Sequence, residues 1–482
     1  MREPVRRSPP VEMPRWSFAW QSALFLLLVA TPPDAQGTAS RSVAIRGVTV
    51  IDPTSDAMPV GDQTIVVVNG VIRAVGPTAG TAVPAGVPVV EARGKFAIPG
   101  LWDMHVHFMN TGVSALPLLL AHGVTSVREM GGYIDSTRAW QARMAAGTLA
   151  GPRILTPGPL LESPAYLARV RERDAGLGGR LAPRILPYRL GVGNAADARR
   201  VIDSLVKLRV DFVKVRTMQS AEAYFAILRE ARRAGLKVAG HQPSVVRLAV
   251  GSDSGQVDIE HALVPPTSGL DAAIRDSLYR RLARNGTWYT PTLVVSRAVT
   301  LSGDSAQRLI FGPDAPRVDP RLAYASPWLL GWWRMQVDER IADDPSVERA
   351  ALIREAYVSS VADVRPMHTA GVRILAGTDA GSVLVYPGFS LHEELRRLVE
   401  EAGLTPRQAL WGATAGPAQF FGLESTLGMI APGRAADIVL LDANPIADIR
   451  STERIFAVVQ GGRVFDRAGL DALLAAARAL AR

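Results

Sequence analysis

The 482-residue sequence contains no cysteine. That excludes disulfides, a thiol nucleophile, cysteine-ligated zinc or iron–sulfur sites and a lipidated N-terminal cysteine. Histidine is scarce, with seven in the whole chain. Any metal must therefore be held by those few imidazoles, by carboxylates or by a modified side chain. There is no G-x-S-x-G elbow and no G-x-x-x-x-G-K-[ST] loop. A serine hydrolase of that type and a P-loop NTPase are left without support. Lys and Arg outnumber Asp and Glu by 54 to 45, a formal charge of +9. The arginines are scattered, and no basic run alternates with aromatics, so no nucleic-acid partner is expected. What is present is ordinary globular material, 48% hydrophobic and 21% charged, enough for a large core.

Only one long apolar run occurs, FAWQSALFLLLVA at residues 18–30. Arg2, Arg6, Arg7 and Arg15 precede it, and the small and turn-rich TPPDAQG follows. That order of basic, apolar and cleavage regions reads as a secretory signal over residues 1–35. The run is short for a bilayer span, which needs roughly 20 apolar residues; an uncleaved anchor is the alternative. The expected location is the periplasm or the exterior, with no membrane association apart from export.

Residues 36–95 read as short β-branched strands separated by turns, and 423–482 have the same texture before a terminal helix. Between them, over 96–422, short apolar strands alternate with helical patterns. Eight strand candidates are found there, starting from FAIPGLWDMHVH, taken as one strand. PRILTPG at 152–158 is followed by what reads as a long loop. The pattern predicts an α/β fold, a (β/α)8 TIM-like barrel with a small β-sandwich domain built from both chain ends.

The ionisable residues fall at strand ends. His105 and His107 in D-M-H-V-H-F share strand parity, so both project to one face. His241 ends LKVAGH, His261 ends QVDIEH and Asp379 ends VRILAGTD. Each lies at the C-terminal end of its strand, the face on which barrel enzymes carry their chemistry. Imidazole and carboxylate suit zinc, and also iron or manganese. Lys214 sits inside the apolar strand D-F-V-K-V-R. It is either a lysine paired with a carboxylate or snorkelling to the rim, or a buried amine converted to a carbamate that bridges two metals. His122 and His368 lie near helix C-termini, where a positive charge is favourable. His392 opens a helix and has a capping, packing or orienting role.

Together, IPGLWDMHVHF, GVTSVREMGG, DFVKVR, VAGHQ, DIEHAL, ILAGTDAG and the segment from PGFSLHEELRRL through GRAADIVLLDANPIADI resemble the amidohydrolase superfamily. The nearest branch is the imidazolonepropionase-like and Xaa-Pro dipeptidase-like group, and the likeness spans about 41–466. The resemblance implies two divalent metal ions, with zinc the first choice. His105, His107 and Asp379 would bind the more buried ion, and His241 and His261 the more exposed one. Carbamylated Lys214 would bridge them, and Asp379 would shuttle a proton from a bridging hydroxide to the leaving nitrogen. The implied activity is hydrolysis of a carbon–nitrogen bond in a small amide or peptide, such as a dipeptide or an N-acyl amino acid. Esters, lactones and cyclic amides are alternatives on the same centre, and a non-catalytic binding protein is the alternative from another class. A homo-oligomer is left open.

Substrate-binding residues are not identified from the sequence. The chain lacks the Gly-Gly-His segment many relatives carry after the third strand, and Gln242 and Pro243 follow His241 where relatives often have a second histidine. Residues 294–345 form a long insertion with Trp328, Trp332 and Trp333, which suit packing or an aromatic ligand. GVGNAA at 191–196 mimics a dinucleotide-binding turn, but YRL before it is too short for a buried strand.

Overall fold

The structure, a computed structural model, describes residues 41–482 apart from 177, 180, 262, 264–266 and 343–346. The signal-like residues 1–35 lie outside the described residues. No helix among the described residues is long and apolar enough to cross a membrane.

The two chain ends build one eight-stranded sheet. It holds β1 (Val43–Val50), β2 (Val60–Val68), β3 (Val71–Pro77), β4 (Val89–Glu91) and β5 (Phe96–Pro99) from the start of the chain. From its end come β16 (Ile438–Leu441), β17 (Ile455–Gln460) and β18 (Arg463–Phe465). The β16–β5 ladder joins the two groups, and Val71 bridges back to Ala435, so the sheet folds over on itself. Alternate residues from both groups, including Val43, Ile45, Val67, Ile438, Leu440 and Val459, fill one shared apolar layer. That two-faced packing is how alternating β-branched strands bury one side.

The expected single strand FAIPGLWDMHVH is two strands. Phe96–Pro99 pairs with β16, whereas β6 (Leu101–Val106) pairs in parallel with β7 (Val124–Glu129). Gly100 makes the crossing, because a Cβ there would come within 2.2 Å of Thr125 Oγ1.

β8 (Arg153–Leu155) continues the β6–β7 ladder, and β9 (Leu160–Glu162) on the same segment starts the next one. β10 (Arg189–Gly191) is an added edge strand on β9. The ladder then runs through β11 (Val213–Val215), β12 (Val238–Gly240), β13 (Gln256–Glu260), β14 (Trp288–Thr290) and β15 (Arg373–Ile374), all parallel. Met104 N donates to Ala376 O at 3.0 Å and Val106 bridges Ala380, which closes the ring. With β8 and β9 counted as one, this is the expected (β/α)8 barrel.

The connecting helices follow their sequence pattern. In the helix Ala195–Lys207, Asn194 caps the N-terminus by accepting from Asp197 N, and Ala198, Val201, Ile202 and Leu205 form the buried stripe. This helix starts within GVGNAA, at Ala195, and the preceding β10 is a half-buried three-residue edge strand. The long loop expected after residue 158 is instead β9 and a helix, Pro164–Gly176. Its run YLARVRERD is charged, with only Leu167 and Val170 buried, so it carries little apolar periodicity to read.

Candidate metal centre

The C-terminal ends of the barrel strands bring the singled-out residues together. His105 lies in β6, and His107 immediately precedes the short helix Phe108–Thr111. Lys214 is the centre of β11; His241, His261 and Asp379 directly follow or lie just beyond β12, β13 and β15. Ligand-capable atoms of His105, His107 and Asp379 lie within 4.8 Å of one another. Asp379 Oδ1 is 3.1 Å from His107 Nε2 and 3.5 Å from His105 Nε2. The ring of His261 is 4.6 Å from that of His105, and the ring of His241 is 4.8 Å from that of His261, edge-on.

His105 Nε2 and Lys214 Nζ are buried without a hydrogen-bond partner. Buried polar atoms are nearly always bonded, so two such atoms at one site need an explanation. Burial, with the Lys214 charge second, holds the His105 and His241 imidazoles well below their ordinary pKa. Burial takes His261 down to about 4 and the Lys214 ammonium to about 8. Burial pulls the Asp379 carboxyl upward, but the His107 hydrogen bond and neighbouring imidazoles outweigh it and hold the group well below the carboxylate range. Neutral imidazoles at His105, His241 and His261 beside an ionised Asp379 are the protonation states that a divalent cation requires. The donor set thus fits such an ion.

Residues outside the expected set hold these groups in place. Glu260 Oε2 lies 2.7 Å from His105 Nδ1, which leaves Nε2 aimed into the site. Glu260 Oε1 and Asp258 Oδ2 accept from Arg128 at 2.7 and 2.6 Å, and all three side chains are fully buried. Asp103 accepts from His105 N, Thr378 N and Thr378 Oγ1; burial raises its carboxyl to about 7 despite these bonds. His261 Nδ1 meets Thr292 Oγ1 at 2.7 Å, and Ser382 Oγ donates to Asp379 Oδ2 at 2.9 Å. The sequence carried one signal for this layer: Gln256, Asp258 and Glu260 alternate with Val257 and Ile259, and so point to one face. His261, Thr292 and Asp379 adopt positive φ of 64°, 47° and 62°, a cost concentrated at the site.

The other histidines are structural. His122 follows the helix Ala115–Ala121, with Nδ1 2.8 Å from Leu118 O, and burial lowers its pKa to about 4. Burial also lowers His368. The favourable positive charge expected at these helix ends is therefore not realised, because desolvation outweighs the helix field. His392 is buried, with Nδ1 near Thr452 Oγ1 and Nε2 near the His122 carbonyl, so its role is packing. The insertion tryptophans also pack. Trp333 donates to Gly381 O and Trp328 to Met109 O, fastening the insertion to the loop that follows Asp379 and to the short helix that follows His107.

Similarity to known proteins agrees with this geometry. The profile of the amidohydrolase family matches residues 96–464. The ochratoxinase of Aspergillus niger is 24% identical over 424 residues, covering 77% of this chain and 76% of that protein. Bottromycin amidohydrolase superposes with a TM-score of 0.69 at 25% identity, over 92% of this chain and 91% of that one. A Xaa-Pro dipeptidase with methionine in its active site shares the fold, with a TM-score of 0.64 at 20% identity, over 88% of this chain and 100% of that one. A barrel with this ring of side chains, matched by the profile over most of its length, belongs to the amidohydrolase family and is a hydrolase acting on carbon–nitrogen bonds.

Proposed function

We propose that the chain is an exported hydrolase of a dipeptide or N-acyl amino acid, working with two divalent ions. The observation that carries the reading is the pair of buried atoms without a hydrogen-bond partner, His105 Nε2 and Lys214 Nζ, beside His107, His241, His261 and Asp379. His105, His107 and Asp379 would hold one ion, His241 and His261 the other, with Lys214 joining both; zinc suits these donors. Two such ions, when bound, polarise a carbonyl and make water nucleophilic near neutral pH. The relatives named for amide and dipeptide chemistry support the substrate class. Export rests on the pattern of residues 1–35 alone.

The chain's own residues supply the rest. Burial brings Lys214 down to about 8, so a useful fraction is neutral amine near neutral pH. That amine adds CO2, releases a proton and becomes an anionic carbamate. His107 and His105 crowd Asp379 Oδ1, which leaves Oδ2, oriented by Ser382, to carry a proton. Oδ2 takes the proton of the attacking water and delivers it to the leaving nitrogen, so the amine departs neutral.

The test is metal content per chain after growth with zinc and bicarbonate, together with turnover of dipeptides, N-acyl amino acids, matched esters and lactones. Bound metal with amide turnover is expected. Ester or lactone turnover without amide turnover overturns the substrate class, and no bound metal overturns the centre.

A further inference from the structure

A cavity of about 390 Å³ opens against Asp379 and Ser382. Val295, Leu301 and Ile353 give it apolar wall, and Arg340 lines it too. Arg340 belongs to the helix Pro327–Ala342, within the long insertion. Among the described residues its one hydrogen bond is a long one, Nη1 to Ala298 O at 3.4 Å, and no carboxylate forms a close ion pair with it. The adjacent Glu339 is engaged by Arg173. Burial lowers the Arg340 pKa, but a guanidinium remains charged at any working pH. Across the barrel mouth, Arg216 is already bonded to Glu162 at 3.2 Å. Arg340 is thus a half-buried cation on the Asp379 side; among the described residues the carboxylate that acts on it is the neighbouring Glu339, already engaged by Arg173.

The side of the cavity matters. Asp379 delivers a proton to the leaving nitrogen, so the leaving group must lie against Asp379, in this cavity. We propose that Arg340, on the apolar cavity wall beside Asp379, binds the free carboxylate of the leaving amino acid and sets specificity for it. Carboxylate and guanidinium match as a two-pronged hydrogen-bonded pair. The inference rests on the amide-hydrolase reading above and adds which end of the substrate is recognised, and by what.

The test uses the metal-loaded enzyme with glycyl-leucine and N-acetyl-leucine. Each is paired with the same acyl group on 3-methylbutylamine, which keeps the apolar part and lacks the carboxylate. The wild type should prefer the acids, and Arg340→Gln should raise KM for the acids by roughly 10- to 100-fold. The neutral amides should change by less than about threefold, which also reports that the variant is folded, and Arg340→Lys should recover part of the loss. Equal cleavage of acid and neutral amide by the wild type, or equal loss on both in Arg340→Gln, overturns the inference and leaves the amide-hydrolase reading standing. Cleavage of none of the four by metal-loaded wild type overturns that reading itself.

Discussion

The two halves of the ring are built differently. His105, His107 and Asp379 are braced from behind: Glu260 on His105, Arg128 on Glu260, Asp103 on the His105 backbone, Ser382 on Asp379. The half with Lys214, His241 and His261 is held by lighter, uncharged braces, Thr292 on His261 and the Gln256 amide on the Gly240 and His241 carbonyls. The first half is organised before any ligand arrives. The second contains an amine that, until it is modified, is largely a cation near neutral pH and depresses the neighbouring imidazoles. On the proposed two-ion reading, the fold preforms the site of His105, His107 and Asp379, and the other would depend on chemistry at Lys214.

The largest effect should come from Asp379→Asn, which keeps the shape but removes the proposed proton carrier. A loss of about 100- to 10,000-fold in kcat is expected, read by turnover of whichever amide the wild type cleaves. Lys214→Ala tests the comparison directly. Metal content should fall from about two ions per chain to one or fewer, as a binuclear centre loses its bridge. Loss of the first ion alone, with the second retained, would reverse the assignment of halves. Next comes Glu260→Gln, which weakens the brace on His105. Affinity for the tighter ion should drop roughly 10- to 100-fold, measured by chelator competition, with little effect on the weaker ion.

A smaller effect sharpens the contrast between site histidines and structural ones. Burial holds His392 at about 3, against 6.5 when exposed. Between those values the unfolded chain binds the proton and the folded chain does not, so stability falls as pH drops from about 6.5 toward 3. The loss is on the order of 1 kcal/mol per pH unit. His392→Gln should flatten that slope in acid unfolding monitored by circular dichroism, without changing metal content. The smallest change is expected from Gly303→Ala. A Cβ there would sit 2.6 Å from Ile341 Cγ1 and 2.8 Å from Ile341 N, nudging the helix that carries Arg340. Substrate KM should rise a few-fold while kcat holds, since Asp379 is on another element.

The comparison also shows what was readable early. The six ring residues stood out because histidine is rare here and because His, Asp or Lys at the end of, or inside, an apolar strand is conspicuous. The barrel was readable from alternating periods, but the split at Gly100 was not, since an uninterrupted apolar run looks the same whether it serves one sheet or two. The charged helix Pro164–Gly176 was read as loop for want of an apolar stripe. The charge expected on His122 failed because burial at a helix end is not a local property.

The sequence by itself determined the strand ends, their parity and the chemical types placed there, because those depend on residues two to four apart. Only the tertiary structure decided that Glu260 reaches His105 across 155 positions, that Arg128 ties Asp258 to Glu260, and that Arg340 borders the cavity beside Asp379. Those contacts join distant strands and an insertion, and their energetics come from burial, which closing the barrel creates.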